Sequence, residues 1–238
     1  TDTMYAVFLG RALQTVNPPA GSVGSSQIAA EMITGTTALA AEPADTDEFL
    51  ISDAGVLKRL DYSHIKGSST HTLLSTSTIT SGTSSADFTS NIDSTYKIYM
   101  FDIINLHPAT DAQEFRVRFS QSSSFVTSST YDYCFTRMDG GVDHTSPRNQ
   151  NSDVIVVANN FDSGNDSCLS GRVFLYDPAG TTFEKQITFH TVYTNDGDQS
   201  GSTVGSGRLD STTAVDGIQF YMGSGNIDSA VIKMYGVT

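Results

Sequence analysis

The sequence predicts a mainly β protein: a C-terminal jelly-roll-like β-sandwich preceded by an extended N-terminal arm with one short helix and a small β-hairpin. Three observations carry this. Apolar residues recur with period two in many short runs, polar turn clusters separate those runs, and almost no stretch shows helical periodicity. The clearest run is Val215 to Val237. There Ile218, Phe220 and Met222 alternate with Gln219 and Tyr221, and Ile232 and Met234 alternate with Val231, Lys233 and Tyr235. The Gly223, Gly225 and Asn226 between them tolerate positive φ, so the stretch is expected to be an antiparallel hairpin.

Composition narrows the class. The 238 residues hold 38% hydrophobic and only 16% charged side chains, with Ser, Thr, Gly and Asn making up the difference, a texture closer to extracellular or virion β-proteins than to a cytosolic enzyme. Thirteen Phe and ten Tyr are enough to build a core, so the chain is not of the disordered type. The formal charge of −13 argues against nucleic acid and anionic membranes as partners, because both are bound by clustered Lys and Arg. No run approaches the roughly 20 apolar residues of a membrane span, and Met4 to Leu9 lacks the basic start of a secretory signal. A soluble protein made in a cytoplasm is expected. Cys134 and Cys168 are too few for a disulfide scaffold; two buried free thiols or one bridge are the alternatives.

Three segments follow in order. Residues 1–24 are expected to be an arm that orders against a partner, broken at Asn17-Pro18-Pro19, where proline removes a donor and restricts its predecessor. Residues 25–66 form an interchain segment. Within it Ser25 to Thr34 is expected to be helical, with Ile28 and Met32, then Ala29 and Ile33, at i and i+4, and Gly35 at the C′ position. Phe49 to Ser52 and Val56 to Leu60 are expected as strands around a three-residue turn, Asp53-Ala54-Gly55. So little chain cannot bury a core of its own. Ile28, Met32, Ile33, Phe49, Ile51, Leu57 and Leu60 are therefore expected to meet other subunits.

Residues 67–238 form the sandwich. Expected strands are His71 to Ile79, Tyr96 to Leu106 (apolar on both faces, hence the most buried), Glu114 to Phe119, Tyr131 to Met138, Val154 to Ala158, Gly171 to Tyr176 and Phe183 to Tyr193. In the last of these Phe183, Ile187 and Phe189 share a face. Turn clusters are expected at Pro108 to Asp111, Asp139 to Asn151, Asn160 to Asp166, Asp177 to Gly180 and Asn195 to Gly207. No repeat of propeller period is present.

Pro19-Ala-Gly-Ser-Val-Gly-Ser-Ser-Gln-Ile-Ala30, the Asp47-to-Tyr62 hairpin and the ending from Gly217 to Gly236 resemble tailed-bacteriophage virion proteins of the tail-fibre type. The first two motifs are similar to the attachment and shaft part of such fibres, and the last to their C-terminal β-sandwich tip. The resemblance implies a homotrimer in the virion, docked on other phage proteins by its N-terminal part and presenting its tip to a host-surface glycan. The chain is short for a long fibre. A capsid decoration, head-fibre or tail connector protein without a receptor is the structural alternative, and a glycan depolymerase the enzymatic one.

Candidate chemistry is sparse. His64, His71, His107, His144 and His190 stand at no metal-ligand spacing, and there is neither a Gly-x-Ser-x-Gly elbow nor a phosphate-binding loop. Glu114, Glu184, Asp102 and Asp132 lie on or beside strands, where ion pairing is the expectation and a glycosidase carboxylate pair the alternative. Asp162 to Asp166 and Asn195 to Asp198 gather oxygen ligands, but neither fits a helix-flanked calcium loop, and both are expected to be ordinary turns. No cofactor, metal or catalytic residue is assigned. Tyr131, Tyr133, Phe161 and Tyr193, near strand ends, are the candidates for stacking on a glycan, with core or subunit contacts as the alternative role.

Overall fold

The computed structural model describes Met4 and residues 28–67, 70–140 and 146–238; the rest of the arm, residues 25–27 at the start of the expected helix, and His144 lie outside the described residues. The chain divides into two compact units, residues 1–67 and 68–238.

In the first unit the expected helix is reduced, among the described residues, to one turn, α1 (Glu31–Thr34). The Gly35 N–H donates to Glu31 O at 2.8 Å, so Gly35 does close it. One turn fixes several dihedrals for very few hydrogen bonds, so it is marginal by itself. Strands β1 (Glu48–Asp53) and β2 (Val56–Asp61) pair antiparallel from Glu48↔Asp61 to Asp53↔Val56. The turn is thus two residues, not three. Ala54 and Gly55 both have positive φ, 49° and 81°, which matches the twist of a two-residue hairpin. No described residue from 28 to 67 is fully buried.

The second unit holds β3 (His71–Ile79), β4 (Ser85–Phe88), β5 (Ile98–Pro108), β6 (Gln113–Gln121), β7 (Ser124–Phe125), β8 (Tyr131–Asp139), β9 (Arg148–Ser152), β10 (Ile155–Phe161), β11 (Leu169–Tyr176), β12 (Lys185–Thr194), β13 (Ser200–Leu209), β14 (Gly217–Met222) and β15 (Ile227–Val237). The larger sheet runs β3-β15-β5-β11-β12-β13-β8-β9. The smaller runs β10-β6-β14-β4, with β7 on β6. Every pairing is antiparallel.

Both sheets face one core. Phe101 of the larger sheet meets Phe88 and Phe220 of the smaller at 5.4 and 5.2 Å between ring centres. Tyr131 crosses the same gap: its hydroxyl accepts the Phe119 N–H at 2.9 Å and donates to Val126 O at 3.2 Å. Burial raises its pKa well above the ordinary tyrosine value.

Three expectations are corrected here. The Val215–Val237 stretch is not a hairpin. β14 pairs with β6 and β4, β15 pairs with β5 and β3, and the Gly223–Asn226 loop carries the chain from one sheet to the other. Ile218, Phe220, Ile232 and Met234 all reach the core, and a period of two is the same whether two strands pair or face each other across a sandwich. Next, most of the expected turn Asn195 to Gly207 is strand β13. The reversal is confined to Asn195–Gln199, where Asn195 Oδ1 accepts the N–H groups of Gly197 (3.0 Å) and Gln199 (2.9 Å). Glycines on β13 make room for large neighbours: a Cβ on Gly201 would stand 2.5 Å from the Tyr193 ring, and one on Gly207 2.8 Å from Ile155. Finally, β12 begins at Lys185, so Phe183 lies outside it and is 76% exposed and does not share the face of Ile187 and Phe189.

Candidate functional site

Strand register builds one concave site on the outer face of the larger sheet. Because alternate residues face the core, Gln186 and Thr188 of β12 point outward, as the alternating burial of that strand shows. Pairing carries this into two rows. One is Tyr176↔Gln186↔Arg208↔Asp132, and the other Phe174↔Thr188↔Ser206↔Cys134↔Arg148. Together with Asn149 and Gln150 of edge strand β9, the residues of these rows other than Phe174 line a cavity of about 430 Å³.

Arg208 is the organising charge. Its Nη2 and Nε donate to Asp132 Oδ2 at 2.7 and 3.0 Å, and its Nη1 donates to Glu184 Oε2. Asp132 Oδ1 also accepts the Asn151 N–H at 3.0 Å, which ties β9 to the rim. The Arg208 guanidinium, and then the Asn151 N–H, hold the Asp132 carboxyl below its usual range. Both carboxylates in turn raise the pKa of Arg208. The Tyr176 and Thr188 hydroxyls are hydrogen-bonded to each other at 2.9 Å. Asn149 Nδ2 donates to Tyr133 Oη at 3.3 Å. The side chain of Arg148 makes no ion pair with a described residue. The cavity therefore offers amides, hydroxyls, two tyrosines and two arginines, Arg148 and Arg208, against the single carboxylate of Asp132, with Glu184 reaching Arg208 from outside its lining.

Of the aromatic candidates, only Tyr133 lines this cavity. Tyr131, Phe161 and Tyr193 are corrected: they are core residues with almost no accessible surface. Their position near strand ends put them at the ends of inward-facing rows. Phe161 packs on Tyr193 at 6.2 Å, and the Tyr193 hydroxyl bonds Thr203 Oγ1 at 3.3 Å. The expected ion pairs are present for Asp102 with Arg172 (2.7 Å), Glu114 with Arg116 (2.7 Å), and Asp132 and Glu184 with Arg208.

Both thiols are free, but Cys134 is exposed on the outward face of β8, a correction to two buried thiols. His107 Nε2 lies 3.0 Å from Gly164 O, and its Nδ1 3.6 Å from Asp228 Oδ2. His190 lies 3.3 Å from Ser202 Oγ, His71 packs edge-on to Tyr235, and His64 is exposed in a 3-10 turn. In the loop after β10, Ser167 Oγ donates to Asp162 Oδ2 at 2.5 Å, holding that carboxyl low. Among the described residues no three His, Cys, Asp or Glu side chains converge as metal ligands, and no helix is long and apolar enough to cross a membrane.

In the first unit Ile28, Met32, Phe49 and Leu57 are exposed and Ile51 and Leu60 half-buried; the side chain of Ile33 lies outside the described residues.

Sequence reasoning missed Arg208, Ser206, Gln186 and Thr188 as site residues. The signal was there: on β13 Ser202, Val204, Ser206 and Arg208 alternate with Gly201, Thr203, Gly207 and Leu209. Glycine filled inward places where a hydrophobic residue is normally sought. No protein-family model, curated protein or solved structure matches this chain.

Proposed function

We propose that this chain is a tail-fibre-like phage structural protein whose C-terminal unit, a jelly-roll-like sandwich, binds a host-surface glycan through the cavity around Arg208. The observation that carries the glycan reading is the composition of that cavity. Hydrogen-bonding amides and hydroxyls surround Tyr176 and Thr188, and Arg208 and Asp132 are already paired at fixed positions. Such a surface suits a ligand rich in hydroxyls, since each sugar hydroxyl both donates and accepts. The sequence motifs at the two ends of the chain supply the virion reading.

Asp132 and Glu184 act here as structural partners of Arg208. A hydrolytic acid needs a raised pKa, and Asp132 is held low. The N-terminal unit, with exposed Met32, Leu50, Val56 and Leu57 and no buried residue among those described, serves as the assembly and docking part of a homotrimer in the virion. Three weak sites on one particle then gain avidity without new contacts.

A printed array of neutral and acidic glycans, probed with the fluorescently labelled full chain, tests the glycan reading. Binding to a defined glycan group is expected, with loss in Thr188→Arg, which fills the cavity. Uniform background across the array overturns it.

A further inference from the structure

We infer that the groove continues past Tyr176 and Gln186 into a second subsite at Phe183, and that its ligand is an oligosaccharide of at least two sugars. This rests on the glycan reading above and goes on to its length and its stacking residue.

A second cavity, of about 260 Å³, is lined by Tyr176, Asp177, Phe183, Glu184 and Gln186. Tyr176 and Gln186 also line the first cavity, so the two share a wall. Glu184, which lines the second, is bonded to Arg208 of the first. A cavity of this size admits a single sugar ring, and one bound there has its neighbour in the chain directed toward Tyr176 and Thr188.

Phe183 supplies the reason to expect a ring. It is 76% exposed, and among the described residues only Phe49, at 41%, is another exposed phenylalanine. Leaving so much aromatic surface in water forgoes the burial that the other phenylalanines of the sandwich obtain. Loop disorder does not account for it. The Lys185 ammonium, itself buried, donates to the carbonyls of Phe183 (2.8 Å), Gly180 and Thr212, and so pins the backbone that carries the ring. On the other side Glu184 is held by Arg208, and Asp177 by Lys97 at 2.8 Å. The ring is thus presented on a fixed frame with ordering largely paid in advance. Around it stand a carboxylate pair and the Gln186 amide, all hydrogen-bonding groups. An apolar face ringed by donors and acceptors matches a sugar, whose C–H face is apolar and whose edge carries hydroxyls. A peptide helix would need a longer apolar groove than these five residues form.

The test titrates the full chain with linear gluco-, galacto- and manno-oligosaccharides from one to six sugars, followed by saturation-transfer NMR. Affinity is expected to rise on going from one sugar to two or three in one of these series. Phe183→Ala is expected to remove that gain, about tenfold or ~1.4 kcal/mol, and to leave single-sugar binding unchanged, while Phe183→Tyr keeps it. Because Phe183 is outside the core, both variants should keep the wild-type Tm. Binding that gains with length equally in Phe183→Ala overturns the second subsite and leaves the glycan reading standing. Absence of binding to any saccharide overturns both. Loss of oligomer mass on sedimentation of Phe183→Ala would also overturn it, since the ring would then cover a neighbouring copy.

Discussion

Arg208 Nη2 lies 2.7 Å from Asp132 Oδ2 and joins β13 to β8 across the rim of the groove. The same guanidinium reaches Glu184, so one cation gathers two carboxylates that would otherwise repel each other.

Arg208→Ala should lower Tm and make the loss depend on pH. The folded pKa of Asp132 is depressed, so its contribution is present above the unfolded carboxyl value, about pH 4, and is lost as pH falls through the lower folded value. Thermal melts at neutral pH should therefore separate wild type from Arg208→Ala, and the gap should narrow progressively as pH falls below the unfolded carboxyl value. A difference that stays constant across that window counts against the ion pair as its source.

Gly201→Ala should destabilise the sandwich despite the good reputation of alanine in place of glycine. Its Cβ would stand 2.5 Å from the Tyr193 ring, which is itself buried and packed on Phe161. The cost of overpacking is expected to be about 1–3 kcal/mol, read from urea unfolding monitored by tyrosine fluorescence. The same substitution at Gly67, where an added Cβ meets nothing within 4 Å, is the control and should change stability little.

Leu50→Asp with Leu57→Asp should disperse the proposed homotrimer. These residues share one face of the β1–β2 hairpin and are 74% and 69% exposed. Sedimentation equilibrium of the full chain is expected to fall from a trimer mass to a monomer mass. The Tm of the double variant should still show a folded sandwich, since the buried core residues among those described all lie from Ile79 onward. A monomer mass already in the wild type would refute the trimer.

Most inward-facing residues were legible in the sequence because alternation is a local property. Phe115, Val117 and Phe119 on β6, or Ile187 and Phe189 on β12, could be placed inward without knowing any partner strand. The β1–β2 hairpin was legible for a related reason: Gly55 and a short loop between apolar runs leave few other pairings. The site was far less legible. Its residues come from four strands and an edge, and none of them stands out in its own segment.

By itself, then, the sequence determined that the chain is β-rich, which face of most strands turns inward, and that its first quarter lacks the apolar mass for a core. Tertiary structure alone decided that β14 and β15 lie in opposite sheets, that glycine-rich Ser200–Leu209 is a strand, and that Arg208 meets both Asp132 and Glu184. The physical reason is range. A side chain's face is set by backbone geometry within a few residues, whereas the choice of partner strand depends on how large neighbours such as Tyr193 and Ile155 fill the space above a glycine.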